Sequence, residues 1–181
     1  MEIIVRHSGD YKSLLSYQKA NVIYCLTFFF CHKFLQKGDR TVDQMIQAAR
    51  SGKQNIIEGC AASATSAKTE IKLLNVAKAS LKELLEDYED FLKTRGFLQW
   101  KKGSIEFETM RRLAIEHSDA DYFMSIAETR PPETIANMTI ILINQADYLL
   151  FRQISKAETD FVKNGGFSER MTSARRQSRG Y

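Results

Sequence analysis

Apolar residues along this chain recur mostly three and four positions apart, the repeat that lines one face of an α-helix. The pattern predicts four long helices. The first runs from about Tyr11 to Lys37, with Asp10 as its cap and Gly38 as its stop. Its middle, Val22, Ile23, Tyr24, Leu26 and Phe28 to Phe30, is apolar nearly all round. A helix without a polar face is buried on several sides, which in a small bundle implies burial against other subunits. The second runs from about Thr41 to Ala62, with capping-box spacing between Thr41 and Gln44. Gly52 and Gly59 interrupt it. An interior glycine costs roughly 1 kcal/mol relative to alanine, so Gly52 reads as a point of close helix packing.

The third long helix, about Ser66 to Arg95, is amphipathic. At about 100° per residue, Leu73, Ala77, Leu81, Leu84, Tyr88, Phe91 and Leu92 share one side, and Lys68, Lys72, Lys78 and Lys82 share the outer one. Glu70 breaks the pattern by falling on the apolar side, where a carboxylate needs a partner. Arg50, Lys53 and Asn55 are candidates, and Arg50, Asn55, Glu58 and Glu70 are expected to form a structural polar cluster. A loop carrying Trp100 follows, then short helices over Ile105 to Glu116 and Tyr122 to Thr129, separated by a capping turn at Ser118 to Asp121. Pro131 and Pro132 open the fourth long helix, which reaches Asn164 and is closed by Gly165 and Gly166. The fold class expected is all-α, an up-down antiparallel four-helix bundle over 1–164 with an insertion at about 99–131. Residues 165–181 read as a flexible basic tail.

Composition is compatible with this reading. The 181 residues are 44% hydrophobic and 27% charged, enough for one domain with a real core. Three cysteines without a CxxC pair, Cys25, Cys31 and Cys60, read as reduced thiols rather than disulfides or zinc ligands. The opening MEIIVRHSGD does not read as a signal peptide, and the apolar run Val22 to Cys31 is too short to span a bilayer, so a cytoplasmic location without membrane association is expected. The net charge of +4 is mildly basic, with Arg170, Arg175, Arg176 and Arg179 concentrated in the tail. These arginines and the four lysines of the third helix are the candidate nucleic-acid contacts.

Catalytic chemistry finds no foothold. None of His7, His32 and His117 has a glutamate three residues before it, as a di-iron bundle requires. There is no phosphate-binding glycine loop and no nucleophile elbow. The acids Glu86, Asp87, Glu89 and Asp90 read as a solvated face, and Asp119 and Asp121 as caps rather than calcium ligands. No enzyme, cofactor or metal is expected.

Three stretches resemble a family of four-helix bundles associated with intervening sequences of bacterial 23S ribosomal RNA genes. That family includes the accessory variability protein of diversity-generating retroelements. The stretches are YKSLLSYQKA at Tyr11 to Ala20, QMIQAARSGKQNIIEG at Gln44 to Gly59, and Ser66 to Leu84. The middle one is similar to the family's QIRRAAVSIPSNIAEG through Gln44, Ala48, Ala49, Ser51, Asn55, Ile56, Glu58 and Gly59. Ile46 and Gln47 stand where the family has paired arginines, and Lys53 where it has proline. Helix four and the basic tail extend past the usual family end, as in a longer subgroup with a C-terminal suffix. The resemblance implies a homopentamer and a non-enzymatic role, with a positive surface for RNA, DNA or a reverse transcriptase. The alternative is a protein-interaction module without nucleic-acid affinity.

Overall fold

The computed structural model describes residues 9–178, and every regular element among them is helical. A 3-10 turn, Tyr11–Ser13, precedes α1 (Leu15–Phe34), α2 (Arg40–Ala62), α3 (Ala67–Thr94), α4 (Ile105–Glu116), α5 (Ala120–Ala127), α6 (Pro132–Asn164) and α7 (Phe167–Ser178). Boundaries follow local chemistry. Ser66 Oγ accepts from Thr69 N–H, Ser104 Oγ from Phe107 N–H and Asp119 from Tyr122 N–H, each satisfying an otherwise orphaned amide. Two expected starts shift. Asp39, not Thr41, caps α2, its carboxylate accepting Thr41 N–H at 2.9 Å. Asp10 caps only the 3-10 turn, because Leu14 is extended and separates that turn from α1.

Each of α1 and α3 packs against both α2 and α6. Neighbours run antiparallel. A Cβ at Gly52 would meet Leu81, and one at Gly59 would meet Leu74, so rising positions on α2 meet falling ones on α3. Asn21 and Cys31 of α1 likewise meet Lys53 and Met45 of α2. At the centre, Tyr88 Oη donates to Thr27 Oγ1 at 3.0 Å, with both side chains fully buried. Phe30 packs its ring 5.1 Å from Tyr88 and 4.8 Å from Phe91.

The 99–131 segment forms part of the wall of the core. Helix α5 lies on α1, and α4 lies on α6. Met110, Ala114, Phe123 and Ala127 from the two short helices join the main core. Every residue of α6 from Ile135 to Ile143 is buried, so that stretch has no outer face. Buried positions there fall on every side of the helix. Asn137 is satisfied there: its Oδ1 accepts Trp100 N–H at 2.8 Å, and its Nδ2 donates to the Leu98 and Glu133 carbonyls. It fastens the Trp100 loop to α6.

Burial of α1 is correspondingly supplied within the chain, by α5, over part of the face that its sequence suggests other subunits would cover. A strip stays open: Phe28 is 47% exposed, and Tyr24 and Cys25 are half-buried. Much of the basic segment after Gly165 is helical, as α7. Among the described residues, no helix is long and apolar enough to cross a membrane.

Candidate functional site

Helix α3 carries lysines and carboxylates along its outer surface. Lys68 and Lys72 are exposed in its first half, and Lys82 is exposed just past its midpoint. Lys78 is not available in the same way. Its ammonium pairs with Asp147 of α6 at 2.8 Å and sits 5.8 Å from the Phe151 ring centroid. The second half carries Glu83, Glu86, Asp87, Glu89 and Asp90. Burial, then the neighbouring carboxylates of Glu83, Asp90 and Glu86, pushes the Asp87 carboxyl above its ordinary range.

On α7, Arg175 and Arg176 are exposed in the last turns. Arg170 belongs to the same helix, and Arg179 lies outside the described residues.

The residues of the expected polar cluster make the following contacts. Arg50 is exposed. Asn55 turns back along its own helix to the Ser51 carbonyl and hydroxyl, and Ser51 bonds Ser80 of α3 at 2.9 Å. Glu58 accepts from Gln54, and Lys53 reaches Asn21 and the Tyr24 ring. Glu70 instead lines a cleft with Cys60, Lys156 and Asp160. Axial level separates Arg50 from Glu70. Glu70 lies beside Gly59, and Arg50 sits about 13 Å further along α2 at 1.5 Å per residue.

Lys19 is the residue that pattern reading passed over. It is 2% exposed, on the face of α1 that also buries Ile23, Leu26 and Phe30. Its ammonium donates to the Ala114 and His117 carbonyls, orphaned acceptors at the end of α4. Burial lowers the amine to about 8, against a weaker opposing pull from Asp119. A lysine in register with Ile23, Leu26 and Phe30 was the available signal.

Lys19 also borders a cavity of about 530 Å³ between α1, α4 and α6, with mostly apolar walls including Phe107, Ile141 and Leu149. The thiols are free, and burial pushes Cys31 up to about 12, which suits an inert packing group. Among the described residues, no group of His, Cys, Asp or Glu has the arrangement of a metal site.

Comparison with protein-family models, curated proteins and solved structures gives no match.

Proposed function

We propose that this chain is a non-enzymatic, self-associating four-helix scaffold of the cytoplasm that binds RNA or DNA through a basic surface. In this reading α1, α2, α3 and α6 form an up-down bundle, and α4 and α5 are an insertion. The antiparallel registers and the packing of α1 and α3 against the same two neighbours support that topology. The observation that carries the function is the grouping of exposed Lys68, Lys72 and Lys82 on α3, with Arg175 and Arg176 exposed on α7. Lysines along one helix face can track phosphates, and binding of this kind releases counterions. The open aromatic strip at Tyr24 and Phe28 supports self-association. The sequence resemblance supports a homopentamer, with a reverse transcriptase or another nucleoprotein as a further partner.

The test is gel filtration with light scattering, with and without a structured RNA, at low and moderate salt. The expected result is a multiple of the 20.8 kDa chain that gains mass with RNA at low salt and loses it at higher salt. Changing Lys68, Lys72 and Lys82 together to glutamate should lower the salt slope of binding by about two to three. A particle indifferent to RNA at low salt would refute the nucleic-acid reading and leave a protein-interaction module. A monomer would refute the assembly.

A further inference from the structure

The cavity between α1, α4 and α6 has a one-sided electrostatic character. Lys19 and Arg111 stand among its lining residues, and none of those residues is an acid. Lys19 is held by two neutral carbonyls, and among the described residues no carboxylate lies within ion-pair distance of it. Asp119 acts on it only at longer range. A buried ammonium without a counter-charge is costly, and an anion brought alongside recovers part of that cost. Arg111 is largely exposed, and its contact with Glu108 is a long 3.5 Å, so its guanidinium is accessible to a second anion. The remaining walls are mostly hydrocarbon and aromatic, with Ser118, Asn144 and Gln145 as neutral polar members, and the volume is within the range of small-molecule sites. Leu15, Ile115 and Tyr148, all more than half exposed, add apolar surface at its edge.

We propose that this cavity binds a small amphipathic carboxylate, its alkyl or aryl body against the walls and its charge towards Lys19 and Arg111. A cationic amphiphile of the same size is excluded by the same two residues. A neutral one gains only the apolar burial. The site is independent of the nucleic-acid reading, since neither residue belongs to the α3 or α7 surfaces.

Calorimetric titration of the full chain with decanoate, decanol and decylammonium tests this. Decanoate should bind at one site per chain, roughly tenfold tighter than decanol, the factor equivalent to one modest charge interaction. Decylammonium should not bind. Ala114→Phe, which directs a ring from α4 into the cavity, should abolish decanoate binding. Arg111→Gln changes only an exposed side chain and should weaken decanoate severalfold while leaving decanol unchanged, so the proposal does not depend on the folding of the Ala114 variant. Equal affinity for decanoate and decanol would overturn it, as would decanoate binding unaffected by both substitutions. A third adverse result is a change in particle mass on Ala114→Phe without decanoate binding by the wild type, which would assign the cavity to a second copy of the chain.

Discussion

Replacing Gly52 by alanine sets two effects of opposite sign against each other. The helix gains about 1 kcal/mol from propensity, because alanine loses less backbone freedom on folding. The added Cβ would lie 2.7 Å from Leu81 Cδ2 and 2.8 Å from its Cγ. Leu81 is fully buried, so it has no free space to rotate into, and the two helices must part or its rotamer must strain. Overpacking of this kind costs about 1–3 kcal/mol. The steric cost should win, for a net destabilisation of up to about 2 kcal/mol.

The double-mutant cycle makes this decisive. Leu81→Ala alone should cost about 2–5 kcal/mol by opening a cavity. In that background the Gly52 methyl has room, so Gly52→Ala should change sign and stabilise by about 1 kcal/mol. Gly59→Ala is the control. Its Cβ would lie 3.4 Å from Leu74, an ordinary contact, and the exchange should be neutral or mildly stabilising. Urea unfolding followed by far-ultraviolet circular dichroism, at one fixed protein concentration, reads all four variants. If Gly52→Ala stabilises the wild-type background as much as the Leu81→Ala background, the close-approach argument is wrong.

Further substitutions test the other contacts. Lys19→Met should cost about 2 kcal/mol by leaving the α4 carbonyls without their donor, with amide exchange in α4 accelerating most. Because the folded amine is lowered to about 8 from 10.5, the unfolded chain holds the extra proton between these values, so wild-type stability should rise across that window relative to Lys19→Met. A flat difference across pH 8 to 10.5 would refute the buried-ammonium account. Tyr88→Phe should cost about 1–2 kcal/mol by leaving the buried Thr27 hydroxyl without its partner. Burial raises the Tyr88 phenol above its ordinary 10, so the unfolded chain ionises first and wild-type stability should fall above that pH. Tyr88→Phe should lessen the fall, as pH-dependent urea midpoints would reveal. Asp147→Ala breaks a partly exposed pair and should cost under about 1 kcal/mol, while freeing Lys78 and tightening RNA binding in a filter assay.

Helix positions were legible in the sequence because their punctuation is local. Ser66, Asp119, the proline pair and Gly165 each act through their own backbone or a neighbour two or three residues away. The face of α3 was legible for the same reason, since a helical wheel needs only spacing. Depth and axial level were not. A wheel places Glu70 on the inner side of α3 but cannot say that it lies level with Gly59 rather than Arg50. Lys78 shares an angle with three exposed lysines, and only the arrival of α6 with Asp147 separates it from them. The partners of Lys19 are carbonyls, which every residue carries, so no residue type marks them. The basic surface remains a grouping of residue types whose ligand the fold alone does not specify.

The burial of α6 from Ile135 to Ile143 bears on how this chain is free to vary. A helix with one wet side can accept substitutions along that side at little cost, and α3 has such a side. The stretch from Ile135 to Ile143 has none, so each position there constrains volume or polarity. In a saturating substitution scan scored on folding, tolerance along α3 should rise and fall with the helical repeat. Along α6 from Ile135 to Ile143 it should stay uniformly low, with no such oscillation. The chain's capacity to acquire new surface chemistry thus lies in helices with a wet side, such as α2, α3 and α4, around the buried stretch of α6.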